Sequence, residues 1–269
     1  MALAHDDQPV TLLLDAGTGI RQVWRLLNGR PFDGTVLLGH LHWDHTQGLP
    51  FFRPGDDPES RVDLYLPAQP GDPEGVLARG MSPPHFPIRP SELRGRWSFR
   101  FVEEGLHELE GFTVLAREIP HKGGRTFGYR VSDGSATVAY LSDHHPITFG
   151  PGPTGFGEHH EAACALVDGV DLLIHDAQYT AEEFPARAHF GHSTIDYAIT
   201  LGETCGVGEV LLFHHDPPRT DDEIDQLLTA LGDRTVAVSA AADGTVIDLP
   251  RHRATPARPA LNSSRTRRG

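Results

Sequence analysis

Apolar residues along the chain fall in short blocks separated by Gly, Asp and Pro. Blocks of this length, rich in Val, Leu and aromatics, predict buried strands. The predicted strands are Thr11–Asp15, Thr35–Gly39, Val62–Leu66, Trp97–Glu103, Phe112–Glu118, Thr126–Val131, Thr137–Ser142, Asp171–Asp176, Glu209–Phe213, Thr235–Ser239 and Thr245–Asp248. The Asp133-Gly134 step marks a hairpin turn. Helical spacing predicts helices over Ile20–Leu27, Glu158–Val167, Ser193–Cys205 and Thr220–Leu231. Ser193 with Asp196, and Thr220-Asp221-Asp222-Glu223, supply N-terminal capping signals. Strands dominate the first half, and strand and helix alternate in the second, an α/β pattern. Gln69–Pro90, rich in proline, and Gly150–Gly157 read as irregular segments, the kind that wall binding sites.

Composition narrows the class. The 269 residues suffice for one large domain with a real core. No apolar run approaches the roughly 18–20 residues that span a bilayer, and the first residues lack the basic-then-apolar pattern of a secretory leader. Cys164 and Cys205 allow at most one disulfide. A cytoplasmic location without membrane contact is therefore expected. The formal net charge is −14, and Arg251–Gly269 holds six of the 23 basic residues and no acid. Residues 1–250 thus carry 17 positive and 37 negative side chains. Such a body repels a nucleic-acid backbone, so nucleic acid is not the expected partner. The main domain is expected to span residues 1–250, with the Arg-rich 251–269 a disordered tail.

Histidine changes the picture. The chain has 17, most of them grouped at 40, 42, 45; 144, 145; 159, 160; 189, 192; and 214, 215. Neutral imidazole is the commonest metal ligand. The densest group is Val36-Leu37-Leu38-Gly39-His40-Leu41-His42-Trp43-Asp44-His45, where a buried strand runs into four ligand-type side chains. Residues two apart in extended backbone face the same side, so His40 and His42 can bind one ion. Asp44 and His45 then project from the following turn towards a neighbouring position. Burying these groups without a metal would be costly.

The His-x-His-x-Asp-His run after an apolar strand resembles the metallo-β-lactamase-fold hydrolases, as does Leu12-Leu13-Leu14-Asp15-Ala16-Gly17-Thr18-Gly19 upstream. The resemblance extends from about Leu12 to Leu249. It implies a four-layer αββα sandwich with a two-metal site along one edge of the sheets. It also implies further ligands. His121 precedes a Gly128-Tyr129-Arg130 strand, Asp143 ends Tyr140-Leu141-Ser142, and His214 follows Val210-Leu211-Leu212-Phe213. His215 is the alternative to His214. One ion would then take His40, His42, His121 and Asp143; the other would take Asp44, His45, His214 and Asp143. Zinc suits this donor set first, with manganese or iron open. In this superfamily a strand or hairpin usually precedes the strand matching Thr11–Asp15. Few residues lie ahead of it here, so the first sheet is expected either to lack an edge strand or to have lost it by truncation. A homodimer partner is one way to cover such an edge.

Two divalent ions less Asp44, Asp143 and a bridging hydroxide leave roughly +1, which complements a phosphodiester monoanion. The β-lactamases of the superfamily usually lack a His at the His45 position or use Cys late in the chain. The Gly-Tyr-Arg strand and Gly191-His192-Ser193-Thr194 resemble the phosphodiesterase branch, which includes the tRNA 3′-processing ribonuclease. The resemblance implies that the hydroxide attacks phosphorus, that His192 protonates the leaving oxygen, and that Asp44 shares in catalysis as well as ligation. Asp176 would orient His192 or a ligand. The expected activity is hydrolysis of a small cyclic phosphate or nucleotide. The alternatives are tRNA processing, lactone, thioester or β-lactam hydrolysis, and a non-catalytic binding module. The tRNA enzymes usually carry a basic, glycine-rich arm, whereas Gln69–Pro90 has only Arg79 and Arg89.

Overall fold

The computed structural model describes residues 1–249. The Arg-rich tail, 251–269, lies outside the described residues. The first sheet contains β1 (Ala2–Leu3), β2 (Leu12–Leu14), β3 (Asp33–Leu37), β4 (Arg61–Pro67) and β5 (Arg96–Val102), side by side in that order. The second contains β6 (Gly105–Leu109), β7 (Phe112–Ile119), β8 (Thr126–Ser132), β9 (Thr137–Leu141), β10 (Leu172–Asp176), β11 (Glu209–Phe213) and β12 (Ala237–Ala240). Its order is β12-β11-β10-β9-β8-β7-β6. The α-helices are α1 (Val23–Leu26), α2 (Trp43–Thr46), α3 (Pro73–Ala78), α4 (Glu161–Val167), α5 (Phe184–Arg187), α6 (Ile195–Thr204) and α7 (Asp221–Ala230).

Three buried clusters define four layers. Leu14, Leu37, Phe127, Tyr129, Tyr140 and Ile174 meet between the two sheets. Ile20, Val23, Val76 and Leu77 pack from α1, α3 and the turn before α1 onto Leu13, Val36 and Leu64 of the first sheet. Leu166, Val167, Ala198, Ile199 and Leu201 pack from α4 and α6 onto Leu141, Leu173 and Val210 of the second. This is the αββα sandwich. Strands β10 and β11 read as continuous apolar runs because each has a helix layer on one face and the other sheet on the opposite face.

Several elements depart from the sequence pattern. Ala2–Leu3 pairs antiparallel with Leu12 and Leu13, and the Met1 amino group donates to the Leu14 carbonyl at 2.8 Å. A two-residue strand thus occupies the edge where the pattern showed none. β6 was not predicted because, as an outer strand, it alternates half-buried with exposed residues and carries His107 and Glu108. Within the proline-rich segment, Asp72 accepts from Gly75 N at 2.8 Å and opens α3 with Pro73 in its first turn. Ile20–Leu27 splits into a 3-10 turn over Thr18–Gln22 and the single turn of α1. Thr194 rather than Ser193 caps α6, accepting from Tyr197 N at 3.1 Å, because the Ser193 N–H is drawn to Asp176 at 3.2 Å. Thr245–Asp248 forms no strand, since β12 is already the sheet edge and no described residue pairs beyond it. The Thr220–Glu223 capping box forms at the start of α7. No helix among the described residues is long and apolar enough to cross a membrane.

Candidate metal centre

Strands β9, β10 and β11 are parallel, and β7 runs the same way through two antiparallel steps. Their carboxyl ends therefore open on one side of the sandwich, where chains leaving an α/β sheet commonly build sites. His121 follows β7, Asp143 follows β9, Asp176 ends β10 and His214 follows β11. From the first sheet, the chain beyond β3 presents His40 and His42, and α2 carries Asp44 and His45. Glycine makes this loop possible. A Cβ on Gly17 would stand 2.2 Å from the Asp44 carbonyl oxygen, so the turn after β2 and the Asp44 turn can touch only without one.

All seven of these His and Asp ligand candidates come together. His40, His42, His121 and Asp143 form one cluster, and Asp44, His45 and His214 form another beside it. Asp143 stands between them. Its Oδ2 lies 3.6 Å from His40 Nε2 and 3.4 Å from His121 Nε2. Its Oδ1 lies 3.0 Å from His45 Nε2 and 3.3 Å from His214 Nε2. Asp44 Oδ2 closes the second cluster at 3.3 Å from His45 Nε2 and 3.5 Å from His214 Nε2. His42 Nδ1 lies 3.3 Å from His121 Nε2. Two donors bound about 2.1 Å from a tetrahedral ion stand about 3.4 Å apart, so these separations suit shared cations.

Hydrogen bonding supports the same reading. Both ring nitrogens of His40 and both carboxylate oxygens of Asp143 are buried without a hydrogen-bond partner among the described residues. Buried polar groups are rarely left so, and a cation would satisfy the inward-facing ones. Elsewhere the outer ring nitrogens are already committed. His45 Nδ1 meets Asp15 Oδ2 at 2.7 Å, and His121 Nδ1 meets the Gly191 carbonyl at 2.7 Å. Each such Nδ1 contact turns Nε2 inward, towards the other donors. His214 Nδ1 lies 2.9 Å from Gln178 Nε2; the amide must turn over to accept from an Nδ1–H.

Electrostatics divide the cluster. Burial pushes the His40 imidazole down to about 3, against the opposing pull of Asp143. Burial also lowers His121. At His45 and His214 the carboxylates overcome burial: Asp15 and Asp143 respectively lead in holding them well above the ordinary histidine range. Hydrogen bonds from His214 and His45 hold Asp44 low, and burial of Asp143 is outweighed by the same two histidines.

His192 sits beside this centre. Its Nδ1 is 3.0 Å from Asp176 Oδ2, and its ring lines an open cleft with Asp44, Gln178, Tyr179 and His214. Asp176 also accepts from the backbone N–H of His144, Gln178 and Ser193. It is a rigid anchor, fully buried. His215 joins neither cluster, so of the adjacent pair only His214 faces the other donors.

Sequence reading did not assign three supporting groups. Asp15 receives the Gly39 N–H at 2.6 Å, the Tyr140 hydroxyl at 2.9 Å and the His45 ring. Its position directly after an all-apolar strand was the available signal. Gln178 and the Gly191 carbonyl act through contacts that no local pattern reveals. His144 is fully buried. It bridges His175 at 2.9 Å and His160 at 2.7 Å.

Comparison with known proteins decides the family. The Beta-lactamase superfamily domain matches residues 11–215. The chain belongs to that superfamily. Its fold is shared with a solved diphosphatase of the PhnP family, at a TM-score of 0.65 and 20% identity, covering 92% of this chain and 84% of that one. It is also shared with the short form of human tRNase Z, at 0.63 and 20%, covering 93% and 91%. Among curated relatives, ribonuclease Z of Limosilactobacillus reuteri (strain DSM 20016) is 24% identical over 262 residues, 80% of each chain. Superfamily membership and the donor set together make the protein a metal-dependent hydrolase.

Proposed function

We propose that the protein hydrolyses small phosphodiesters, cyclic phosphates or nucleotides, using two divalent cations, zinc first among them. His40, His42, His121 and Asp143 would hold one, and Asp44, His45, His214 and Asp143 the other. Cations so placed would polarise phosphoryl oxygens and make water acidic enough to attack at neutral pH. The chain's own residues do the rest. Asp143 holds the two halves in register, one oxygen to each. Asp15 and the Gly191 carbonyl fix the rings of His45 and His121.

The observation that carries the reading is the Asp176–His192 contact at the rim of the cleft. With Nδ1–H given to Asp176, Nε2 is the ring atom that carries a proton to a leaving alkoxide. Asp176 holds the ring in that orientation. A phosphodiester with an alkyl leaving group, a strong base as the alkoxide, gains most from such an acid.

The test is steady-state kinetics of metal-replete protein with a bis-aryl phosphodiester, alkyl phosphodiesters and cyclic nucleotides, beside the His192→Ala variant. Turnover of phosphodiesters, with the alkyl substrates lost in the variant, is the expected result. Lactone turnover without any phosphodiesterase rate overturns the proposal. A rate retained on alkyl substrates in His192→Ala removes the assignment of the acid.

A second reading, tRNA 3′ processing, is favoured by the relatives named ribonuclease Z. Against it stand the acidic body and the role of the proline-rich segment, which folds back as a wall of a cavity. Cleavage of a precursor tRNA at rates above those on nucleotides would reverse the order of the two.

A further inference from the structure

A cavity of about 640 Å³ opens beside the metal centre, and His40 and His42 line both. Its other walls come from α2, the proline-rich segment, β5 and the turn before β8. Trp43, Phe51, Met81, Phe86, Trp97 and Phe99 are among the apolar side chains that line it. Trp43 is 75% exposed and Phe51 60% exposed, large apolar rings left open to solvent at the cavity mouth. Phe51 and Phe86 meet edge-to-face at 5.9 Å. Polar groups interrupt this surface. Gln47 and Gln69 carry side-chain amides on the wall.

We propose that this cavity is a nucleoside pocket that seats the base of a substrate whose phosphodiester lies over the metal centre. The inference rests on the phosphodiesterase reading for the placement of the phosphate. Three observations select the occupant. Aromatic faces offer stacking, which any base can use. The two amides offer hydrogen bonds to base edges, whereas an acyl chain would leave both unpaired. Volumes of this order take a ligand of nucleoside size. The charge selects a single nucleotide over a polymer, since residues 1–250 carry 37 acids against 17 bases.

Tryptophan fluorescence reads the pocket directly. Of the three tryptophans, Trp43 and Trp97 line it, and Trp24 stacks on Arg53 elsewhere. The experiment titrates adenosine, guanosine, cytidine and uridine, which lack phosphate, into full-length metal-replete Trp24→Phe protein. Saturable quenching by at least one nucleoside is expected. Trp43→Ala and Phe86→Ala should each weaken that binding at least fivefold, and Gln69→Leu should change the preference among bases. The same Phe86→Ala substitution should raise KM for cyclic nucleotides and leave KM for dimethyl phosphate unchanged. No saturable response to any nucleoside up to its solubility limit overturns the proposal. So does a response that neither aromatic substitution alters, or one seen only with octanoate or on dilution of the protein, which would give the pocket to an acyl chain or a second copy. Nucleoside binding without any phosphodiesterase rate upholds the pocket and sinks the hydrolytic reading. A phosphodiesterase rate without nucleoside binding sinks the pocket alone.

Discussion

Asp143 divides its two carboxylate oxygens between opposite groups of histidines, Oδ1 reaching His45 Nε2 at 3.0 Å and Oδ2 reaching His121 Nε2 at 3.4 Å. Asp143→Asn keeps the volume and replaces one anionic oxygen with an amide donor that repels a cation. The expected outcome is loss of metal from both halves, not one. Elemental analysis of the purified variant should show well under one ion per chain, and hydrolysis should fall at least a thousandfold.

Asp176, fully buried with Oδ2 3.0 Å from His192 Nδ1, would act through that ring by positioning it. Asp176→Asn should therefore slow substrates with poor leaving groups by about 10–100-fold while sparing an activated aryl phosphodiester. His192→Ala should follow the same pattern with a larger loss, about 10²–10⁴-fold on the alkyl substrate. A leaving-group series measured on wild type and both variants checks this. Equal losses across the series would point to a collapsed cleft instead of a missing acid.

Removing the cations should expose a cost already visible in the buried, unpartnered atoms of His40 and Asp143. Chelator-treated protein is expected to melt several degrees lower than the metal-replete form, and zinc should restore the difference. Differential scanning calorimetry with and without added metal makes the comparison.

Gly17→Ala should break the site from a distance. The added methyl group meets the Asp44 carbonyl oxygen at 2.2 Å, backbone against a turn that has no room to retreat. A loss of about 1–3 kcal/mol in stability is expected from such overpacking, with Asp44 displaced and metal affinity reduced. Urea denaturation and metal titration report the two effects separately.

Acid should weaken the fold through His160 and His175, away from the cation ligands. Burial pushes His160 down to about 4 and also lowers His175. Below the ordinary histidine value near 6.5, the unfolded chain takes up protons that the folded chain refuses, so stability falls as pH drops from there towards 4. Above that range the contribution is fully present. Urea midpoints of metal-replete protein at pH 7.5, 6.5 and 5.5 should fall in that order. His160→Asn, which keeps an acceptor for the Ala163 N–H, should flatten the slope.

Much of this was legible in the sequence, for identifiable reasons. Apolar runs such as Leu172–Ile174 and Val210–Leu212 are fully covered, so they read as strands unambiguously. The His40–His45 spacing exposes its own chemistry because four donors sit within one turn of chain. Edges were less legible. Gly105–Leu109 alternates weakly because one face is open, and Thr245–Asp248 has the β-branched composition of a strand but no neighbour among the described residues to bond. Asp15 was passed over as a strand terminus, since its three partners lie 24 to 125 residues away. The histidine bridge through His144 was equally hidden: its direction depends on one backbone acceptor, the Asp176 carbonyl, and one backbone donor, the Ala163 N–H.

Tyr129 and Tyr140 leave the second sheet to bond Leu38 O at 2.7 Å and Asp15 Oδ2 at 2.9 Å on the first. Neither sheet alone owns a complete set of donors, so the cage is a seam and the tyrosines are its stitches. Cation affinity should therefore behave as a strain gauge for the whole sandwich. A lesion deep between the layers, far from any imidazole, would announce itself first as leaking metal.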